Sequence, residues 1–139
     1  RFVRIWTPTR THKVDFSEPE AFLREICTQY AVVEVAYDAY MLVDMAQRLQ
    51  REGVGWFRSF AQGADRARAD KQLYDNIMER RIHHAGDQPE LAQHIANADR
   101  KPEQEILMRI VKREMTGKPI DACIALSMCN AEARRLNIG

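Results

Sequence analysis

Apolar and polar residues follow two different periods along the chain, and the alternation of these periods predicts strands separated by helices. Residues 2–6, 32–37 and 54–60 are short runs rich in aromatic and β-branched residues, which is typical of strands. The run at 32–37 is apolar except for Glu34, which favours a strand that is covered on both faces, as in a parallel sheet. The alternation predicts an α/β fold.

Helices are predicted between and after these runs. Ser17 and Glu20 form a capping-box pair at the start of the first helix, and Gly53 is placed to end the second, over about residues 39–52. Later elements are predicted as helices over about 64–81, from Pro89 and over 121–136, and as a hairpin or strand plus loop at 105–120 that turns near Thr116 and Gly117. The aromatic residues of the strand runs are expected in the core rather than stacked on bases: Trp6, Trp56, Phe57 and Phe60.

The length of 139 residues fits a single domain, 1–139, with no internal repeat and no linker that would divide it. No stretch approaches the roughly 18 consecutive apolar residues of a membrane helix, and the N-terminus lacks a signal-peptide core, so we expect no membrane association. The three cysteines lack paired spacing, which disfavours disulfides and structural zinc and indicates a reducing, cytoplasmic setting.

Basic residues are clustered, although the net charge is only +1. Local basic patches can follow a phosphate backbone, and a solvated helix face is the ordinary alternative for each patch alone. Asp65 and Asp70 lie among the basic residues of the third helix and are expected to be their solvated ion-pair partners. The candidates for binding DNA are Arg66, Arg68 and Lys71 after the loop at 61–63, and Arg109, Lys112, Arg113 and Lys118 farther along the chain.

Two acidic residues stand at element boundaries, where α/β proteins place their functional groups. Asp38 ends the strand run at 32–37, and Asp121 opens the last helix. Each residue taken alone also fits a helix N-cap. Two carboxylates brought together repel each other unless a cation lies between them, and oxygen ligands suit Mg²⁺ or Mn²⁺. The pair therefore predicts a metal site able to hydrolyse a phosphodiester.

Four segments resemble, in their order along the chain, the C-terminal nuclease domain of tailed-phage terminase large subunits: VVEVAYDAY, FAQG with its basic helix, RRIHHAGDQPELAQHIANA and KREMTGKPIDACIALSMC. The resemblance implies an RNase H-like fold, with a mixed central sheet flanked by helices, and an endonuclease that uses Mg²⁺ or Mn²⁺ to cut concatemeric double-stranded viral DNA. It matches Asp38 to the acid that ends the fourth strand of that fold and Asp121 to the acid that opens its last helix, both as metal ligands. His84 matches an accessory histidine that is structural or close to DNA.

The same resemblance implies an ATPase motor upstream, in the cytoplasm of a bacterial host, with the portal and the small terminase subunit as further partners. The chain contains no GxxxxGK[ST] loop, so that motor lies outside it. The family places another essential aspartate on a first strand, before the segment that residues 1–8 resemble. We therefore expect an N-terminally incomplete domain that lacks its first strands, and weak or no cleavage by this chain alone.

Two alternatives remain open at this stage. One is an RNase H-like nuclease of the resolvase or transposase type, which would arrange additional acids differently and would lack an upstream ATPase. The other is a module of the same fold that binds DNA or a portal without cutting, and the incomplete set of acids favours it.

Overall fold

The computed structural model describes residues 3–84, 86–103, 106–114 and 117–138. The chain divides into two compact units. The N-terminal unit is Ile5–Phe60, and the C-terminal unit is Ala61–Gly139 together with Arg1–Arg4. Five helices and two small sheets are formed by the described residues, which supports the α/β class. No helix in these ranges is long and apolar enough to cross a membrane.

The N-terminal unit contains two helices and a short parallel pair of strands. Its elements are α1 (Ser17–Gln29), β1 (Val35–Tyr37), α2 (Ala39–Arg51) and β2 (Phe57–Ser59). Val35 lies opposite Phe57, and Tyr37 lies opposite Ser59. The parallel pairing is confirmed, but both strands are shorter than predicted. The expected burial on both faces is wrong, because β1 is only half-buried and most of β2 is exposed.

The structure tests the predictions made for Trp6, Trp56, Phe60 and Gly53 in this unit. Residues 3–6 form no strand, and Trp6 instead packs edge-on against Phe22, with ring centroids 5.5 Å apart. The side chain of Trp56 is 62% exposed, so its predicted core position is wrong, whereas Phe60 is buried as predicted. Gly53 follows α2 with φ +74°, a left-handed conformation that glycine adopts without strain, as predicted.

A network of ion pairs joins α1 to α2. The Glu20 carboxylate accepts hydrogen bonds from Arg24 at 2.9 Å and from Arg48 at 2.8 Å, and Arg24 also binds Glu52. The capping-box prediction is therefore wrong: Glu20 pairs with arginines, and the amide of Ser17 donates to Asp15 Oδ1 instead. The hydrogen bonds from Arg48, and to a lesser extent those from Arg24, lower the pKa of Glu20 to about 2.

The C-terminal unit packs three helices around an antiparallel hairpin. Its elements are α3 (Ala64–Met78), α4 (Pro89–Ala96), β3 (Ala98–Pro102), β4 (Met108–Lys112) and α5 (Asp121–Arg135). Ala98 lies opposite Lys112, and Pro102 lies opposite Met108. The hairpin partner thus precedes β4, so the hairpin alternative for 105–120 is wrong and the strand-plus-loop alternative is confirmed. Gly117 follows β4 outside the helices and strands, with φ +57°, and Thr116 lies outside the described residues. Strand β3 escaped prediction because it is mostly charged and exposed, with no apolar alternation.

The core of this unit lies where α3, β4 and α5 meet. Its buried apolar members are Leu73, Met108, Ile110, Ile120 and Cys123. Burial, and secondarily the negative charge of Asp70, raise the pKa of the Cys123 thiol to about 11. All three cysteines of the chain are free thiols.

A fully buried carboxylate lies beside this core. Asp70, on α3, accepts hydrogen bonds from Arg66 Nε at 2.8 Å, from the amide of Ile110 at 2.8 Å and from Ser127 Oγ at 2.6 Å. The prediction that Asp70 is solvated is wrong, whereas the Asp65–Arg68 pair is largely exposed, as predicted. A single side chain of α3 therefore binds both β4 and α5.

We expect Asp70→Ala to destabilise the protein by about 3–5 kcal/mol, because it leaves the buried Arg66 guanidinium without its carboxylate. The measurement is urea unfolding followed by circular dichroism. The matched control is Asp65→Ala on the same helix, which removes an exposed pair and should cost less than about 1 kcal/mol. Equal effects of the two variants would contradict the structural role of Asp70.

The lowered pKa of Glu20 predicts a pH-dependent contribution to stability. A carboxyl group with a folded-state pKa of about 2 and an ordinary pKa of 4.5 stabilises the fold above pH 4.5, and this contribution disappears as the pH falls towards 2. We expect the difference in Tm between the wild type and Glu20→Gln to be largest near neutral pH and to shrink steadily below pH 4.5. A difference that stays constant across this range would contradict the assignment.

Candidate functional site

Asp38 directly follows β1, at the carboxyl end of the parallel strand pair. Its backbone is extended, with φ −75° and ψ 125°, and its Oδ1 accepts a hydrogen bond from the amide of Tyr40 at 3.0 Å. Asp38 is therefore the N-cap of α2, as one reading of the sequence predicted. The side chain is half-buried, so the carboxylate is also partly accessible. Capping uses one oxygen and leaves the second oxygen without an assigned role.

The turn that follows Asp38 is strained. Tyr40 has ψ 116°, and Met41 has φ +64°, a left-handed conformation that costs a non-glycine residue roughly 1–2 kcal/mol. Both side chains face outwards, at 80% and 67% exposure. Strained backbone is concentrated at functional sites, because the surrounding structure has to maintain it. Arg80 and Asn137 share this conformation, so it is the position of Met41 close to Asp38 that makes this turn part of the candidate site.

Asp121 is the first residue of α5, and its side chain is exposed. The N-cap of this helix is Ile120, which provides no side-chain hydrogen bond, so the alternative of Asp121 as the N-cap is wrong. A carboxylate in the first turn still interacts favourably with the positive end of the helix dipole.

Two buried polar residues hold the segment around Asp121: His94 of α4 and Asn97, which directly follows that helix. His94 Nδ1 accepts a hydrogen bond from the amide of Ala122 at 2.9 Å, and Asn97 Nδ2 donates to the carbonyl of Pro119 at 3.0 Å. His94 is 6% exposed and Asn97 is 7% exposed. Neither residue was predicted from the sequence. The available signal for His94 was its spacing of three residues from Leu91, which places it on the apolar face of α4.

Two of the predicted DNA-binding arginines support the structure around residues 62–63. Arg66 is 7% exposed and binds Gln62 Oε1 at 2.9 Å in addition to Asp70. Arg109 donates to the carbonyl of Gln62 at 3.1 Å and to that of Gly63 at 3.3 Å. Their guanidinium groups are thus engaged within the protein. Contact of either residue with DNA remains a prediction.

An open groove of about 590 Å³ on the C-terminal unit carries other basic residues. Its charged lining consists of four cations, Arg68, Lys71, Arg81 and Arg134, and two carboxylates, Asp75 and Glu79. Arg68 and Lys71 were predicted from the sequence, whereas Arg134 was not, because a cation in the last helical turn also suits the helix dipole. Lys71 pairs with Asp75 at 2.6 Å. Exposed pairs contribute little to stability, so such a lysine can exchange its carboxylate for a phosphate.

The remaining predicted residues are exposed. Lys112 ends β4, Arg113 follows it, and Lys118 lies three residues before Asp121. His84 lies outside the helices and strands, and its Nδ1 accepts a hydrogen bond from the amide of Gly86 at 3.1 Å. Nothing in these contacts assigns a role in DNA binding to these four residues.

The two candidate metal ligands belong to different units, so their meeting at one site remains a prediction. Within the described ranges, no three histidine, cysteine, aspartate or glutamate side chains form a group able to hold a metal ion. The donor chemistry nevertheless fits a hard cation, because both candidates are accessible carboxylates. Cys123, by contrast, is buried with a raised pKa and is unsuited to bind metal.

The chain was compared with protein families. A family model described as terminase large subunit, endonuclease domain, matches residues 6–136, which is nearly the whole chain. The match confirms the resemblance drawn from the sequence segments. No curated protein and no solved structure matches the chain.

Proposed function

Because the chain belongs to the endonuclease domain family of terminase large subunits, we propose that it is a metal-dependent nuclease domain that cuts concatemeric double-stranded viral DNA. Family membership assigns it a nuclease role in phage DNA packaging. To this role we add a DNA substrate, a bound Mg²⁺ or Mn²⁺ ion and the residues that hold it. We also propose an RNase H-like fold and action in the cytoplasm of the bacterial host. The partners would be an upstream ATPase motor, the portal and the small terminase subunit.

The observation that carries the proposal is the position of Asp38. It lies at the carboxyl end of a parallel strand pair, beside a strained turn that presents Tyr40 and Met41 to the surface. This is the edge at which α/β proteins place their ligands. We assign Asp38 and Asp121 as the residues that hold Mg²⁺ or Mn²⁺. When bound, such a cation activates water and neutralises charge on the phosphate.

The other residues act on the DNA backbone. Lys118 is exposed three residues before Asp121, which suits it to contact the phosphate next to the one that is cut. Arg68, Lys71, Arg81 and Arg134 of the groove contact more distant phosphates and hold the duplex in register. Arg66 and Arg109 support the loop at residues 62–63. Binding of this kind depends on backbone charge and reads little sequence.

A second candidate function is a DNA- or portal-binding module that does not cut. It is favoured by the absence of a three-residue metal cluster within the described ranges. The resolvase or transposase alternative has no such support, because the match to the terminase family extends over residues 6–136. Metal binding and cleavage distinguish the two remaining functions.

We expect Mn²⁺ to bind the chain and to bind at least about tenfold more weakly after Asp38→Asn or Asp121→Asn, since even the loss of a residue that only supports a ligand costs this much. The measurement is Mn²⁺ titration followed by electron paramagnetic resonance. The matched controls are Asp44→Asn on α2 and Asp87→Asn in the C-terminal unit, both exposed acids, which should bind like the wild type.

The same variants are incubated with supercoiled plasmid and Mn²⁺. Nicking by the wild type and the controls, but not by the Asp38 and Asp121 variants, supports the nuclease. Mn²⁺ binding that depends on both acids, without any nicking, is expected of an incomplete nuclease domain and of the non-catalytic module alike. Nicking by an N-terminally extended form then identifies the nuclease, and its absence there favours the non-catalytic module. Unchanged Mn²⁺ affinity in both variants overturns the assignment of the acids.

The groove on the C-terminal unit predicts a difference between two neighbouring arginines. Arg134 lines the groove, whereas Arg135 binds Glu132. We expect Arg134→Gln to weaken DNA binding and to reduce the slope of log K against log salt by about 1, because one phosphate contact is lost. Arg135→Gln should leave the slope unchanged. Fluorescence anisotropy with a short duplex measures both, and equal slopes would contradict the proposed phosphate path.

A further inference from the structure

We infer that His94 and Asn97 are positioning residues for Asp121, and that helix α4 sets the place from which this carboxylate binds its cation. The inference rests on the proposed function, because it assigns the task of holding a metal ligand. The observation behind it is a pair of hydrogen bonds, one on each side of Asp121. Asn97 holds the carbonyl two residues before Asp121, and His94 holds the amide one residue after it.

The start of α5 needs an acceptor from elsewhere in the protein. The first amides of any helix lack partners within the helix, and the N-cap here, Ile120, offers no side-chain oxygen. His94 Nδ1 supplies the missing acceptor to the amide of Ala122 at 2.9 Å. Since a backbone amide can only donate, Nδ1 carries a lone pair and the proton of the neutral ring is on Nε2. A residue of α4 therefore performs the task of an N-cap side chain.

The second hydrogen bond fixes the chain before the helix begins. Asn97 Nδ2 donates to the carbonyl of Pro119 at 3.0 Å, and Asn97 Oδ1 accepts from Gln93 at 3.0 Å. The carbonyl of Asn97 also accepts from the amide of Arg113, which joins the same point to the end of β4. The hydrogen bond from Gln93 therefore orients the side-chain amide of Asn97 so that its Nδ2 faces the carbonyl of Pro119.

Burial gives these bonds their effect on geometry. His94 and Asn97 are 6% and 7% exposed, while Asp121 between their two targets is exposed. Water cannot readily replace a buried hydrogen-bond partner, so the backbone on both sides of Asp121 stays in place. The only conformational freedom that remains to the Asp121 carboxylate is rotation about its side-chain torsions. Residues that orient a metal ligand in this way commonly affect metal affinity as well as stability.

The test compares two substitutions of His94 with a control in the same unit. Asn places its side-chain oxygen where His94 has Nδ1, so His94→Asn keeps an acceptor for the amide of Ala122, whereas His94→Leu removes it. Ser127→Ala is the matched control, because it removes a buried hydrogen bond to Asp70 in the middle of α5. Mn²⁺ affinity is measured at a temperature where circular dichroism shows every variant fully folded.

We expect His94→Leu to weaken Mn²⁺ binding about tenfold, His94→Asn to retain most of the affinity, and Ser127→Ala to leave it unchanged. Amide hydrogen exchange by NMR should show faster exchange at Ala122 in His94→Leu, with no change at Met128. A purely structural role predicts instead that His94→Leu and Ser127→Ala have the same effect on Mn²⁺ affinity, and this result overturns the inference.

Mn²⁺ affinities of the Asp121 and His94 variants separate the ligand role of Asp121 from the positioning role of His94. If Asp121→Asn weakens Mn²⁺ binding but His94→Leu does not, the positioning role is wrong and the metal ligand stands. If Asp121→Asn leaves Mn²⁺ binding unchanged, the assigned ligand is wrong, and the positioning role is overturned with it.

Discussion

The C-terminal unit depends on one buried carboxylate. Asp70 has no access to solvent, and it compensates for the loss of water by accepting hydrogen bonds from α3, β4 and α5. A buried charge is tolerated only when its partners are all in place, so the three elements must meet in one arrangement. Apolar residues such as Leu73 and Ile110 stabilise this core by their burial, but their packing tolerates small displacements that the hydrogen bonds of Asp70 do not. The polar cluster thus contributes specificity more than net stability.

The same constraint extends to the candidate site through α5. Ser127 fixes the middle of this helix on Asp70, and His94 fixes its first turn from α4. A helix held at two points one to two turns apart can neither slide nor tilt freely. The exposed carboxylate of Asp121 is therefore carried by a rigid element, although it makes no capping bond itself. Rigid support of this kind is what a metal ligand requires, because coordination tolerates little displacement.

The sequence predicted the elements better than the polar contacts between them. Periodicity located α2, α3 and α5 to within a few residues, and Pro89 marked the start of α4 correctly. Strand β3 could not be found, because its register depends on β4 and not on any apolar pattern of its own. Asp70 was misjudged because an Arg–Asp pair spaced by four residues looks the same in sequence whether it lies on the surface or in the core. Likewise, the acceptor for the first turn of α5 comes from a residue 28 positions away, which no local capping rule can identify.

The two candidate ligands are supported in opposite ways, and this difference matters for function. Asp38 is restrained by its own turn: its oxygen holds the amide of Tyr40, and the strained Met41 follows. A cation that took this oxygen would compete with the cap, whereas a cation at the second oxygen would leave the cap in place. Asp121 has no such competition, because His94 supplies the acceptor that an N-cap side chain would otherwise provide. The capping oxygen of Asp38 is thus tied to a strained exposed turn, whereas the carboxylate of Asp121 makes no capping hydrogen bond to its helix. A change in the backbone at Tyr40 or Met41 would therefore reach the carboxylate of Asp38 through this hydrogen bond, whereas the carboxylate of Asp121 has no comparable link to its helix.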